Sequence, residues 1–187
     1  MTNSDYWDGY YKNYWRDQVV KANEKNTSRE KAVPSDDIFK GLILPYLEPK
    51  TTSLDVGCGW GRLAETAFET GVNYVGVDIS EEMIAAAKKE NSKFGEFLRS
   101  PAENLKFKSN TFDFVFSLGV FDCTDQSAAL SEMIRVCKIN GYILFSGKNN
   151  NYKDDDREAM AAEIGARSKG EPNFFSDYEV YSQGLGW

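Results

Sequence analysis

Three glycines at alternate positions, Gly57-Cys58-Gly59-Trp60-Gly61, follow the stretch Leu54-Asp55-Val56 and lead into a helical pattern from about Arg62. Glycine permits positive φ and lets a ligand approach the backbone, while a helix N-terminus presents N–H groups that lack intrahelical partners. The run therefore reads as a ligand-binding turn. A dinucleotide fingerprint wants glycine or alanine five positions after its first glycine; Arg62 stands there, which disfavours a pyrophosphate. Asp78 closes the next strand-like run, 21 residues after Gly57, a place from which a carboxylate accepts hydrogen bonds from ribose hydroxyls. Turn and carboxylate together point to an adenosine-type ligand.

Other chemistries are excluded by composition. The chain has no histidine, so imidazole bases, histidine triads and histidine metal sites are ruled out, and protons must move through Asp, Glu, Tyr, Lys or water. Cys58, Cys123 and Cys137 lack a CxxC spacing and read as reduced thiols, and Asp154-Asp155-Asp156 reads as a helix start, so no metal site is expected. A net charge of -7 lacks the electrostatic footprint of a general nucleic-acid or anionic-membrane binder, which leaves a small-molecule partner. With no basic segment before an apolar stretch at the N-terminus and no run long enough to span a bilayer, the expected location is cytoplasmic.

The elements that must position the turn follow from periodicity. Ser53 to Val56, Asn73 to Asp78, Glu96 to Arg99, Phe112 to Leu118 and Tyr142 to Ser146 read as strands, alternating with helical segments as in βαβ units. Ser80 is the expected N-cap of a helix with Glu81 and Glu82 in its first turn and Lys88 and Lys89 near its end. From Asp125, the residues Leu130, Met133, Ile134 and Cys137 form an apolar stripe, with Asn140-Gly141 as the expected stop. Ahead of the first strand, a helix from Pro34 carries Ile38, Phe39, Leu42 and Ile43 toward the sheet and meets Pro45, which bends or ends it. Residues 1–33 are set apart as an aromatic helical lid or cap, with Trp7, Tyr10, Tyr11, Tyr14 and Trp15 on one stripe that ordinary core packing would equally explain, and residues 34–187 as the binding domain.

The segments LDVGCGWGRLA, GVDIS, PAENLKF and FDFVFSLGVFD resemble the successive motifs of class I, Rossmann-like methyltransferases of the small-molecule branch, over roughly Tyr6 to Gly147. The resemblance implies an α/β fold: a three-layer αβα sandwich on a doubly wound, mostly parallel sheet. It implies S-adenosylmethionine as cofactor and S-adenosylhomocysteine as product. Backbone groups of Gly57, Cys58 and Gly59 would hold the methionine part, Asp55 would shape the turn, and Asp78 and Ile79 would flank ribose and adenine. Ala102 and Glu103 would lie at the adenine edge, and Leu118 and Gly119 at the substrate mouth. Relatives commonly carry an aspartate where this chain has Pro101, so Ser100 or Glu103 would have to substitute.

Methyl transfer from a sulfonium mainly demands alignment, and no nucleophilic residue is required. For a hydroxyl acceptor Asp122 is the first candidate base, with capping of the following helix as its alternative role; an N-terminal tyrosine is the second candidate base. Tyr11, Lys148, Asn149 and Arg167 are assigned to the substrate side, where Arg167 would suit an anionic metabolite or sugar derivative. The expected activity is O- or N-methylation of a small molecule. A binding domain without catalysis is the alternative, and a nucleotide-dependent oxidoreductase a more distant one. The stretch SLGVFD replaces the Asn-Pro-Pro-aromatic pattern of nucleic-acid amino-methyltransferases. Family sheets continue into an antiparallel strand pair, whereas this sequence stops at Gly184-Leu185-Gly186-Trp187, so the expectation is either a fragment or a shorter sheet without that pair, as a monomer or as a homodimer paired through its exposed fifth strand.

Overall fold

The computed structural model describes residues 36–146, and the side chain of Asp122 is not among the described parts. Five strands form one sheet in the order β3-β2-β1-β4-β5, with every pairing parallel. They are β1 (Thr52–Val56), β2 (Asn73–Asp78), β3 (Glu96–Arg99), β4 (Phe112–Ser117) and β5 (Cys137–Phe145). The helices are α1 (Asp36–Ile43), α2 (Ala64–Glu69), α3 (Glu81–Asn91) and α4 (Gln126–Val136), with 3-10 turns at Leu44–Tyr46 and Phe121–Cys123.

Strand alternation divides the core into two layers. On one face Tyr74, Phe97, Phe114 and Phe116 pack with Phe39 and Ile43 of α1, Ala64 and Ala67 of α2, and Ile84 and Ala87 of α3. On the other, Leu54, Val56, Val77 and Val115 meet Ala129, Met133 and Val136 of α4. The result is the expected αβα sandwich. The chain runs outward from β1 to β2 and β3, then crosses to β4 on the other side of β1. That reversal creates a crevice beyond the strands' carboxyl ends, the usual ligand position in open α/β sheets. At the opposite end, Asp113 accepts from the Thr52 amide and hydroxyl at 2.8 Å each and from Lys138 Nζ at 2.9 Å, tying β1, β4 and β5 together.

Several elements depart from their sequence expectations. Helix α4 ends at Val136, not at Asn140-Gly141, and Cys137 begins β5 instead of completing a helical stripe. No glycine is needed for this stop, because the Asn110 and Thr111 amides cap the Arg135 and Val136 carbonyls at 3.0 and 2.8 Å. Asn140-Gly141 sits in a bulge of β5: Cys137 pairs with Phe112 but Tyr142 with Phe114, so the strand carries extra residues. In α1 only Phe39 and Ile43 enter the core, while Ile38 and Leu42 are exposed on the other flank. Pro45 lies in the 3-10 turn that follows Ile43. Residues 1–33, expected as the aromatic lid, lie outside the described residues.

Candidate active site

A cleft of about 1020 Å³, its open mouth included, occupies the crevice. Each wall is the segment that follows a strand: Gly57 to Trp60 after β1, Ile79 and Ser80 after β2, Ser100, Ala102 and Glu103 after β3, and Leu118 to Val120 after β4. Asp55, Gly57, Cys58, Gly59, Asp78, Ile79, Ala102, Glu103, Leu118 and Gly119 all line it. Phe39, Arg62, Met83, Cys123 and Thr124 also line it; the sequence did not mark these as site residues.

The glycine turn has φ of 83°, 55° and 79° at Gly57, Gly59 and Gly61. Its N–H groups bond inward. Gly57 and Cys58 both donate to the Val77 carbonyl at 2.8 and 2.9 Å, Gly59 donates to Asp78 Oδ2 at 2.9 Å, and Gly61 donates to the Cys58 carbonyl at 2.9 Å. The following helix starts at Ala64, later than expected, and its first amide bonds to Gly61. The expectation of unpartnered amides facing a ligand is thus corrected: these donors close the turn onto β2. A methyl group at Gly57 would come 2.5 Å from Val120 Cγ1, whereas the equivalent position at Gly59 meets nothing within 4 Å.

The Asp78 carboxylate is fixed from both sides, by Gly59 N on Oδ2 and by Ser80 N on Oδ1 at 2.9 Å. Ser80 in turn caps α3 by accepting from Met83 N at 3.1 Å. Asp55 is buried and accepts the Tyr74 hydroxyl at 2.7 Å. Burial pushes its carboxyl up to about 7; the Tyr74 hydrogen bond counters this, Asp78 adds to it and Arg62 lowers it. Burial first, then the nearby Asp55 and Asp78, pushes the Cys58 thiol well above its usual range, so Cys58 is a neutral packing group and not a nucleophile. Its sulfur fills the space a side chain at Gly76 would need, 2.8 Å from that position.

Arg62, which stands where a dinucleotide turn would need glycine or alanine, has a structural use. Its Nε donates to Asp36 Oδ1 at 2.6 Å and its guanidinium lies 4.7 Å over the Phe39 ring, so α1 is clamped across the cleft. A contact between residues 26 apart leaves no mark in a single sequence. At the far wall Glu103 accepts the Asp125 amide at 2.9 Å and the Ser100 hydroxyl donates to the Asn104 carbonyl at 3.0 Å, so both candidate stand-ins for the residue at Pro101 are engaged within the fold. Gly119 N donates to Ser146 Oγ at 2.8 Å, which pins the β4 end to the β5 end.

Asp122 sits in the 3-10 turn at Phe121–Cys123, and its side chain lies outside the described parts; the cap of α4 is Asp125, which accepts from Ala128 N at 3.2 Å. Tyr11, Lys148, Asn149 and Arg167 lie outside the described residues. Among the described residues no group of three or more Cys, Asp or Glu could hold a metal ion, and no helix is long and apolar enough to cross a membrane.

Residues 54–145 match the family model described as a methyltransferase domain. Over that stretch the chain is similar to this methyltransferase family. A demethylmenaquinone methyltransferase of Bacillus licheniformis is 32% identical over 142 residues, 72% of this chain and 57% of the relative. A SAM-dependent methyltransferase structure from Thermotoga maritima shares the fold with a TM-score of 0.67 at 21% identity, covering 98% of this chain and 80% of that one. Phosphoethanolamine N-methyltransferase 2 of Haemonchus contortus, solved with S-adenosyl-L-methionine, gives 0.69 at 21% identity, covering 100% of this chain and 44% of that one. The chain spans about half the length of the curated relatives it matches, 57% and 48% for two of them.

Proposed function

We propose that the cleft binds S-adenosylmethionine and aligns its methyl group for transfer to a small-molecule acceptor. The observation that carries this reading is the charge of the cleft combined with the hydrogen bonding of its turn. Asp55, Asp78 and Glu103 line the cleft, and the one guanidinium among its described residues, Arg62, is paired with Asp36. A pyrophosphate would meet carboxylates and amides already bonded inward, whereas a sulfonium and an α-ammonium group meet complementary charge. The dinucleotide alternative is disfavoured on these grounds as well as by the position of Arg62.

In this reading the open space at Gly59 admits the methionine portion and Asp78 receives the ribose. Ile79, Met83 and Ala102 pack the adenine, which compensates by apolar contact for the acceptor that Pro101 removes. The acceptor's lone pair attacks the methyl carbon as the carbon–sulfur bond breaks; the electron pair stays on sulfur, giving S-adenosylhomocysteine, and the acceptor loses a proton. Asp122 is the proposed recipient of that proton from a hydroxyl acceptor, and unchanged turnover across pH in Asp122→Asn would remove it from the role. Tyr11, Lys148, Asn149 and Arg167 are proposed to complete the acceptor side.

Isothermal titration with S-adenosylhomocysteine tests the binding, with NAD as the opposed ligand; binding of NAD alone would overturn the assignment. Labelled methyl transfer into pools containing a hydroquinone ring or an amine, the groups suggested by the relatives' names, then tests activity. The short span relative to those relatives favours one second reading, a cofactor-binding domain that needs further chain to act. It would bind S-adenosylhomocysteine and transfer no methyl group.

A further inference from the structure

Tyr74 does not line the cleft but bonds to Asp55, which does. The β1–β2 register sets Ser53 against Tyr74 and Asp55 against Gly76, so the tyrosine is the diagonal neighbour of Asp55 on the same sheet face. Gly76 brings no side chain between them, and the phenol reaches Asp55 Oδ2 at 2.7 Å. Both partners are almost fully enclosed, Asp55 at 4% exposure and Tyr74 at 3%, and the Phe97 ring packs 5.8 Å from that of Tyr74. A carboxylate taken out of water is costly unless a donor stabilises it.

We propose that Tyr74 is a positioning residue for the cleft: by donating to Asp55 it holds that carboxylate ionised beneath the glycine turn, and so sets the pH above which a cationic ligand group binds. The inference rests on the S-adenosylmethionine reading of the cleft. The titratable and charged groups facing Asp55 are Tyr74 and Asp78 of β2 with Cys58 and Arg62 of the turn; across β4 the neighbour is Phe116, which is apolar. Burial pushes the Tyr74 phenol and the Cys58 thiol above their usual ranges, so both stay neutral near neutral pH while Asp55 changes charge. Below its break, the ligand must bind at the expense of expelling the Asp55 proton, and affinity should fall about tenfold per pH unit.

The experiment measures S-adenosylhomocysteine affinity from about pH 5.5 to 9, beside a ¹³C NMR titration of the Asp55 carboxyl in the ligand-free protein. In the wild type the two breaks should coincide near 7. Tyr74→Phe should move both upward by about one pH unit, weakening binding roughly tenfold at pH 7 while leaving it unchanged at the alkaline plateau. Where Tyr74→Phe does not fold, replacement of Tyr74 by the isosteric, more acidic 3,5-difluorotyrosine should move both breaks downward. An Asp55 carboxyl that titrates below about pH 5, or an affinity break unmoved by either replacement, overturns the proposal. No binding at any pH, with Asp55 titrating as described, overturns the cofactor reading and the ligand half of this inference with it.

Discussion

The Arg62 guanidinium is held between two residues of α1, bonded to Asp36 at 2.6 Å and stacked over Phe39 at 4.7 Å. One side chain thereby joins the glycine turn to the helix that covers the cleft. The Arg62 side chain is 10% exposed and that of Asp36 25%, so the pair lies between surface and interior ion pairs in its energetics. Arg62→Ala should cost roughly 1–3 kcal/mol in urea unfolding and weaken S-adenosylhomocysteine binding about tenfold, because Phe39 is no longer held at the cleft. Arg62→Lys keeps the charge and loses the planar fork, and should fall in between.

Two glycines of the turn make opposite predictions. Gly57→Ala places a methyl 2.5 Å from Val120 Cγ1 at φ +83°, and should destabilise the fold by about 2–3 kcal/mol, with partial rescue by Val120→Ala. Gly59→Ala meets open space at φ +55° and should cost only about 1 kcal/mol of stability, yet its methyl group would intrude where the proposed ligand lies. Thermal melts and S-adenosylhomocysteine titration on both variants separate the effects: equal loss of binding per unit of lost stability would refute a ligand-specific role for Gly59.

Four strands were legible as short runs ending at a turn residue: β2 and β3 match their expected spans, and β1 and β4 differ by one residue at an end, whereas β5, expected from Tyr142, begins five residues earlier at Cys137. Most of the cleft was legible for the same reason, since its walls are largely the segments after the strands; Phe39 of the helix ahead of β1 and Met83 of α3 were not. What single-sequence reading missed is non-local. The end of α4 is decided by amides at Asn110 and Thr111, the position of Arg62 by Asp36, and the charge state of Asp55 by Tyr74 on the next strand. Helical spacing at Leu130, Met133, Ile134 and Cys137 was satisfied by a sequence that changes to strand at its last member, because periodicity cannot register where tertiary partners take over the carbonyls.

Asp55 should make the ligand-free protein less stable as pH rises. Its carboxyl titrates at about 7 when folded against an ordinary 3.8, so between these values the native state holds more protons than the unfolded chain and stability falls with pH. The stabilising difference is fully present below the unfolded value and is lost as pH rises through the folded one, a change of at most on the order of 4 kcal/mol. Asp55→Asn keeps an acceptor for Tyr74 and removes the titration. It should therefore flatten the profile between about pH 4 and 7 and stabilise the ligand-free protein at neutral pH, while weakening binding of a cationic ligand. Urea unfolding across pH, with and without S-adenosylhomocysteine, is the measurement; a parallel profile for the variant would assign the slope to another group.

The loop proposed as the adenine wall depends on a network behind it. Arg135 of α4 donates to the Leu105 and Phe107 carbonyls at 2.8 and 2.7 Å and to Glu132 Oε1 at 2.6 Å, and Glu132 Oε2 accepts the Leu105 amide at 2.8 Å. Together they bind the loop carrying Ala102 and Glu103 to α4. The Arg135 hydrogen bond holds the Glu132 carboxyl below its ordinary range, so its stabilising contribution is present above the unfolded value of about 4.5 and is lost as pH falls below it. Both side chains keep some solvent contact, so Arg135→Ala should cost only roughly 1–2 kcal/mol globally. Its local effect should be larger: amide exchange at Leu105 accelerates, and affinity for adenosine alone falls in proportion to affinity for S-adenosylhomocysteine. A variant that loses S-adenosylhomocysteine but not adenosine binding would place the damage at the methionine end and contradict the role of this loop as the adenine wall.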